Sequence, residues 1–184
     1  MIININKTSP IPIRGTDQSA GYDIVATSDP IIIGEKNDRG GWNRIEYIQY
    51  HTGIFAYPES NIIEDFGCIH YHILFYPRSS ICKYNLSLCN GVGLGDRDYR
   101  GEYLVRFNYL WQPEDMYMFE GQSWPNGCVD APYISYIPNM ERIYKKGDKI
   151  CQLVIANSYS VDFNPADELS TTGRGSGGFG STGK

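Results

Sequence analysis

The sequence has 184 residues, with 16 Lys and Arg against 21 Asp and Glu, and therefore a formal net charge of -5. This length suits one domain, and the absence of a long apolar run excludes a membrane-spanning helix. The acidic balance argues against a protein that coats nucleic acid, because neutralising phosphates requires clustered Lys and Arg. We therefore expect one folded domain with neither a nucleic-acid nor a membrane partner.

Short segments that alternate in polarity or are rich in β-branched residues follow one another along the chain, separated by Gly, Pro, Asn and Asp. This pattern predicts an all-β sandwich or barrel. Only Ser79–Asn85 could form a helical turn. The predicted strands are Ile2–Ile5, Asp23–Thr27, Ile31–Ile33, Ile45–Tyr50, Ile69–Tyr76, Leu86–Cys89, Glu102–Leu110, Tyr133–Ile137 and Lys149–Ala156.

Two segments interrupt this rhythm. Gly34–Asn43 is polar and glycine-rich, which predicts a loop. Trp111–Pro138, the insertion at about 111–138, is longer and rich in aromatic residues. The preferred interpretation is a surface hairpin that packs on its own aromatic side chains, and the alternative is a surface that binds a protein partner.

The glycine-rich segment Asn90–Gly101 lies between two predicted strands, which favours a tight β-hairpin. Asp96 and Asp98, two residues apart, would share one strand face, and either could act as a general base. Upstream, Tyr76–Ser80 combines Arg78 with two hydroxyl groups, a pattern typical of a phosphate clamp or of a capped turn.

Between Leu169 and Lys184, the C-terminal segment 169–184 is Ser, Thr and Gly with a single Arg and a single Phe, a composition typical of a flexible arm. Its backbone amides, Arg174, Ser181 and Thr182 could surround a triphosphate. Phe179 could lie over a flat ring. We therefore expect residues 1–168 to form the β domain and residues 169–184 to form an arm that closes a site.

The five cysteines are odd in number and show no Cys-x-x-Cys spacing, and no export signal is visible. We therefore expect reduced thiols in an intracellular compartment, either the cytoplasm, the nucleus or an infected host cell.

Taken together, these segments resemble the trimeric dUTPase family (deoxyuridine triphosphate nucleotidohydrolase), whose five motifs occur here in the family's order. The fifth segment alone is moderately specific, whereas all five in order are a strong match. The matching segments are Ala20-Gly-Tyr-Asp-Ile24, Pro77-Arg-Ser-Ser80, Asn90 with Gly93-Leu-Gly-Asp-Arg-Asp-Tyr-Arg-Gly101, Gly147-Asp-Lys-Ile-Cys-Gln-Leu-Val-Ile155 and Arg174-Gly-Ser-Gly-Gly-Phe-Gly-Ser-Thr-Gly183.

The resemblance implies a distorted jelly-roll β-fold and a homotrimer whose active sites draw on all three subunits. It also implies Mg2+-dependent hydrolysis of dUTP to dUMP and pyrophosphate, which limits uracil incorporation into DNA and supplies dUMP for dTTP synthesis. In this comparison Asp96 matches the catalytic carboxylate that activates a water for in-line attack on the α-phosphorus, and Asp98 stays structural. Asp23 would support the site or the water shell of the metal.

The resemblance also assigns contacts with each part of the substrate. Asn90 and the backbone around Gly93 would pair with the uracil edge, and Tyr99 would pack on the deoxyribose and leave no room for a 2′-hydroxyl. The implied substrate-binding residues are Arg78, Ser79, Ser80, Asn90, Gly93, Tyr99, Gln152, Arg174, Phe179, Gly180, Ser181 and Thr182.

Two residues depart from the family pattern. Gly95 stands where the family usually has an aliphatic residue, which is expected to loosen the hairpin. Cys151 replaces a usual small residue. Two alternative functions stay open: a dCTP deaminase-like or bifunctional enzyme of the same fold, and a nucleotide-gated regulatory protein that binds a partner through the 111–138 insertion.

Overall fold

The computed structural model describes residues 2–38, 40–63, 67–121, 127–128 and 132–178. Within these ranges the chain forms thirteen β-strands and three short 3-10 helices. The strands are β1 (Ile3–Ile5), β2 (Tyr22–Val25), β3 (Ile31–Lys36), β4 (Trp42–Tyr50), β5 (Ala56–Pro58), β6 (Asn61–Ile63), β7 (Gly67–Pro77), β8 (Leu86–Leu88), β9 (Gly93–Gly95), β10 (Val105–Tyr109), β11 (Met116–Phe119), β12 (Tyr133–Tyr136) and β13 (Lys149–Ser158). The 3-10 helices are Ser79–Lys83, Pro113–Asp115 and Met140–Arg142.

Two principal sheets form the domain. One has the order β2-β13-β7-β6, with β9 also paired to β7, and the other has the order β11-β12-β4-β10-β8, with β3 paired to β4. A small third sheet joins β1 to β5. All of the strand pairs are antiparallel. The predicted all-β class is confirmed.

The core combines side chains from both principal sheets. In β10, Val105, Phe107 and Tyr109 are buried while the residues between them are exposed, so one face of the strand points inward. Ile73 of β7 is also fully buried in this core. Burial of these apolar faces, at roughly 25 cal/mol per Å², stabilises the packed sheets.

Each of the nine predicted strands overlaps an observed strand, and the predicted turn near Ser79 forms the first 3-10 helix. Four observed strands, β5, β6, β9 and β11, were not predicted. These strands have only three or four residues, too few for alternation to be visible, and pairing with a neighbouring strand defines them.

The predicted loop Gly34–Asn43 is wrong at both ends. β3 continues to Lys36 and β4 begins at Trp42, and these two residues are partners in the register. The ammonium group of Lys36 lies 5.2 Å from the centre of the Trp42 ring. Asn37 closes the connection, since its backbone N–H donates to the Gly41 carbonyl at 3.0 Å and its side-chain oxygen accepts from the Gly41 N–H at 2.9 Å.

The predicted tight hairpin in Asn90–Gly101 is also wrong. β8 and β10 pair directly with each other, while β9, which lies between them in the chain, pairs with β7 of the opposite sheet. Asp96 and Asp98 follow β9 in a turn where the Tyr99 N–H donates to the Asp96 carbonyl at 3.2 Å. The two carboxylates therefore do not share a strand face.

The described part of the 111–138 insertion forms a hairpin at the edge of its sheet. β11 and β12 pair with each other, and Tyr136 of β12 joins the sheet opposite Trp42. The Trp111 ring contacts the rings of Tyr109 and Tyr136 at centroid distances of 4.9 and 5.0 Å. Across the described residues, no helix is long and apolar enough to cross a membrane.

Candidate active site

The segment after β8 forms one wall of a cavity of about 450 Å3. Asn90, Asp96 and Tyr99 line it together with apolar side chains such as Phe75 and Leu88. Pairing of Gly95 with Ile73 fixes the end of β9, and Asp96 is the next residue and is exposed. The structure thus brings the predicted catalytic carboxylate to the same cavity as the predicted uracil and sugar residues.

Two glycines let this segment lie against β7. A Cβ atom at Gly93 would come within 3.0 Å of the Phe75 Cβ. A Cβ atom at Gly95 would come within 2.8 Å of Cε1 of Tyr103 and 3.2 Å of the Ile73 Cβ. The Tyr103 ring therefore occupies the space beside Gly95, and its hydroxyl donates to the Ala56 carbonyl at 3.2 Å.

A second group of polar residues surrounds Asp23 on β2, whose side chain is only 4% exposed. Its Oδ1 accepts from Nε of Arg78 at 3.1 Å and from Nε2 of Gln152 at 3.3 Å. Its Oδ2 lies 2.8 Å from Nζ of Lys149. The predicted substrate-binding residues Arg78 and Gln152 are thus held by one buried carboxylate.

This cluster controls the charge of Asp23. Burial alone raises the pKa of the carboxyl group, but the hydrogen bond from Lys149, the charge of Arg78 and the hydrogen bond from Gln152 outweigh it and hold the pKa below its ordinary value. Asp23 is therefore ionised at neutral pH. Ser79 and Ser80 follow Arg78 in the first turn of the 3-10 helix, where the Ile81 N–H donates to the Arg78 carbonyl at 3.0 Å.

The two groups are separate within one chain. Neither Asp23, Arg78, Gln152 nor the serines that follow Arg78 line the cavity beside Asp96. One copy of the chain therefore presents the cavity beside Asp96 at one place and the cluster of Asp23, Arg78 and Lys149 at another.

The described part of the arm, residues 169–178, makes hydrogen bonds within itself. Nε of Arg174 donates to the Gly177 carbonyl at 2.8 Å, and the Gly175 N–H donates to Thr172, so these contacts are local. The other predicted arm residues, namely Phe179, Gly180, Ser181 and Thr182, lie outside the described residues.

The donor set around Asp23 does not form a protein metal cage. Asp23 already contacts two cationic side chains, and in the described ranges no three His, Cys, Asp or Glu residues lie close enough to hold a metal. Mg2+ is commonly bound through one or two carboxylates together with substrate phosphates, and the chemistry of this chain fits that mode better than a dedicated cage.

Several contributors were missed by the sequence analysis. Tyr103 and Glu102 line the cavity, and Tyr103 lies beside Gly95. Lys149 pairs with Asp23 and His51 with Glu102, residues that are distant in the chain, and no short motif signals such pairing. Cys151, noted as a departure, is fully buried, and burial raises the pKa of its thiol, so it packs as a small apolar residue.

Comparison with known proteins agrees with the resemblance to the dUTPase family. The family model described as dUTPase matches residues 123–183. A deoxyuridine 5'-triphosphate nucleotidohydrolase of Corynebacterium glutamicum is 31% identical over 185 residues, covering 100% of this chain and 93% of the relative. A protein of the same description from Desulfitobacterium hafniense is 29% identical and covers 97% of this chain and 90% of the relative.

Solved structures show the same fold at lower identity. The dUTPase of Staphylococcus bacteriophage 80alpha with dUpNHpp gives a TM-score of 0.63 at 21% identity, covering 100% of this chain and 99% of that chain. A mutant dUTPase from phage phi11 of S. aureus, whose structure describes the coordination of a structural Mg(II) ion, gives a TM-score of 0.57 at 18% identity and covers 93% and 100% of the two chains. From the full-length relative and the ordered motifs, this chain belongs to the dUTPase family.

Proposed function

We propose that this protein is a dUTP diphosphatase that hydrolyses dUTP to dUMP and pyrophosphate. The observation that carries the proposal is the placement of Asn90, Asp96 and Tyr99 on one cavity. The Asn90 amide can recognise a base edge, the Asp96 carboxylate can activate a water molecule, and the Tyr99 ring can pack against a sugar.

In the proposed reaction, Asp96 accepts a proton from a water molecule and orients it toward the α-phosphorus. The water oxygen forms the new bond to phosphorus while the bond to the β-phosphate bridging oxygen breaks, so pyrophosphate leaves in line with the attack. Arg78 supplies positive charge for the phosphates, and the buried Asp23 fixes the direction of its guanidinium. Ser79, Ser80 and Gln152 add hydrogen bonds.

Base choice follows from the polar groups at Asn90 and the neighbouring backbone. A site that pairs with the uracil edge leaves donors or acceptors unpaired when cytosine enters, which lowers turnover strongly. Tyr99, a residue that is 43% exposed, can face the sugar. The alternative of a dCTP deaminase-like or bifunctional enzyme is not favoured, because the relatives reported above are all described as dUTP nucleotidohydrolases.

The complete site is proposed to form in a homotrimer. The cavity beside Asp96 and the cluster around Arg78 are separate in one chain, and subunit assembly offers a way to bring them to one substrate. In the proposed closed state, Arg174, Ser181 and Thr182 of the arm bind the γ-phosphate, Gly180 permits close approach, and Phe179 covers the uracil. Mg2+ is proposed to bind mainly to phosphate oxygens, with Asp23 supporting its surroundings.

A second binding role is proposed for the 111–138 insertion as a protein-docking hairpin. Met116, Met118 and Ile134 are 47%, 73% and 46% exposed, and Met118 and Ile134 are cross-strand partners. Exposed apolar side chains that adjoin one another favour such a role over a purely solvated turn.

Replacing Asp96 tests the catalytic assignment. Asp96→Asn keeps the shape of an exposed side chain but cannot accept the proton, so dUTP turnover should fall by about 10²–10⁴-fold while the melting temperature stays near that of the wild type. The matched control is Asp98→Asn, which changes a carboxylate in the same turn. The assignment would be contradicted if Asp96→Asn kept wild-type turnover, or if Asp98→Asn lost as much turnover as Asp96→Asn.

A further inference from the structure

The Glu102 carboxylate caps the turn that follows β4. Its Oε1 accepts from the backbone N–H groups of Thr52 at 3.1 Å and Gly53 at 2.7 Å, and its Oε2 lies 2.8 Å from Nδ1 of His51. Gly53 has a φ of +66°, so the turn uses the left-handed conformation that glycine adopts readily. One side chain therefore binds three consecutive residues of a distant turn.

The backbone beside Glu102 is joined to the same turn by further bonds. The Thr52 hydroxyl donates to the Tyr103 carbonyl at 2.6 Å, and the Tyr103 N–H donates to the Ile54 carbonyl at 2.9 Å. Thr52 and Ile54 are both buried. These contacts hold the main chain of Glu102 and Tyr103 in one place relative to β4 and β5.

The backbone carbonyl of Glu102 accepts a hydrogen bond from the Tyr99 hydroxyl at 2.9 Å. The Tyr99 ring also packs on Tyr103, with ring centroids 5.2 Å apart. Both Glu102 and Tyr99 line the cavity that contains Asp96. The orientation of the Tyr99 ring therefore depends on a peptide group that the Glu102 side chain anchors.

We propose that Glu102 is a positioning residue that fixes the Tyr99 ring through the His51–Gly53 turn and thereby sets discrimination against ribonucleotides. This inference rests on the proposed function and extends it to a residue outside the predicted substrate contacts. Because the Tyr99 hydroxyl is hydrogen-bonded to the fixed Glu102 carbonyl, the Tyr99 ring cannot shift to admit a 2′-hydroxyl.

The electrostatics of the cap agree with this role. Burial raises the pKa of Glu102, but the hydrogen bond from His51, those from the Gly53 and Thr52 amides, and the charge of His51 hold it below its ordinary value. An ionised carboxylate is the form that accepts from all three donors.

Glu102→Ala tests the proposal by removing the cap. The ratio of kcat/KM for dUTP to kcat/KM for UTP should fall by roughly ten-fold. We expect this fall to come from a higher kcat/KM for UTP together with a higher KM for dUTP. Glu102→Gln retains an oxygen for the Thr52 and Gly53 amides and should restore most of the ratio. Glu46→Ala removes a surface carboxylate that pairs with Arg44 on β4, and it should leave the ratio unchanged.

Tyr99→Phe supplies a second, independent test because it removes only the hydroxyl that reaches Glu102. It should lower the same ratio, and the double variant with Glu102→Ala should be no worse than the more affected single variant. A wild-type ratio in Tyr99→Phe, or in a folded Glu102→Ala, would overturn the proposal. Failure of the wild-type protein to hydrolyse dUTP would instead overturn the proposed function itself.

Discussion

The Tyr103 ring fills the volume that a side chain at position 95 would need. The unusual glycine before Asp96 is therefore matched by a large neighbour, and Gly95 is buried where β9 meets β7. This arrangement gives a physical reason for the departure from the family pattern.

Gly95→Ala should destabilise the fold by about 1–3 kcal/mol, since its Cβ would overlap the Tyr103 ring. Adding Tyr103→Leu should recover part of that loss, giving a coupling free energy of about 0.5–3 kcal/mol in a double-mutant cycle measured by urea unfolding. Gly173→Ala, at a position with no neighbouring atom within 4 Å, serves as the control. Strictly additive effects would show that the two positions do not share space.

The buried Asp23 should make the free energy of unfolding depend on pH in the acid range. Its pKa in the folded protein is lowered, so the unfolded chain binds more protons as pH falls, and the stability that Asp23 contributes is present above its ordinary pKa of 3.8 and lost as pH falls through the folded value. Asp23→Asn should lower the free energy of unfolding by about 1.5–3 kcal/mol at neutral pH. That difference should shrink in acid, and urea unfolding across a pH series would detect it. A difference that is constant with pH would argue against this role.

The β11–β12 hairpin is anchored at its base. The Asp115 side chain is buried, and its Oδ2 accepts from the Tyr109 hydroxyl at 2.9 Å and the Gln112 N–H at 2.8 Å. The Ile137 N–H donates to the Asp115 carbonyl at 2.8 Å, which ties the second strand to the same point.

Replacing residues 120–132 by a two-residue Asn-Gly turn should therefore preserve both the fold and dUTP turnover, because the anchor and the Asp96 cavity are untouched. Turnover and melting temperature of the shortened protein provide the measurement. Asp115→Ala is the contrasting variant and should destabilise by about 1–3 kcal/mol, since it leaves buried donors unpaired. Loss of turnover on shortening would show that the insertion contributes to catalysis.

The strands also show which elements can be predicted from sequence patterns. Alternation over five or more residues predicted strands such as β7 and β10, because one face of each is buried. It could not predict β9, a Gly-Leu-Gly segment whose strand conformation comes from pairing with β7. The sheet change made by β9 is a tertiary property, so the hairpin expected around Asp96 was wrong.

The candidate site was predictable where its residues are neighbours in the chain. Asn90, Asp96 and Tyr99 lie within ten positions, so a single glycine-rich segment places them together. The Arg78 anchor was not predictable, because Asp23 and Lys149 meet only through the pairing of β2 with β13. Glu102 was missed for the same reason, since its partners lie about fifty residues away.

At the scale of the whole molecule, the cationic cluster and the Asp96 cavity are separate parts of one chain. If a trimer brings the cavity of one subunit against the Arg78 cluster of another, a subunit with a defective cavity can still contribute its Arg78 to the site of a neighbour. Catalytic defects in the two places should then complement each other.

Mixing Asp96→Asn with Arg78→Ala subunits, by unfolding and refolding them together, should restore activity that neither variant has alone. Random assembly from equal amounts would leave about a quarter of the sites with both residues intact when the two come from different subunits. Each variant refolded alone is the control. No recovery, with mixed trimers shown to form, would place both residues of a site in the same subunit.

The cavity beside Asp96 is proposed to select dUTP for hydrolysis. Pyrophosphate release by the wild-type protein with Mg2+, measured in parallel on dUTP, dCTP, dTTP and UTP, is the decisive measurement. We expect rapid release from dUTP and little from the other three nucleotides, without ammonia. Equal turnover of dCTP, or release of ammonia from it, would show that the cavity does not select dUTP.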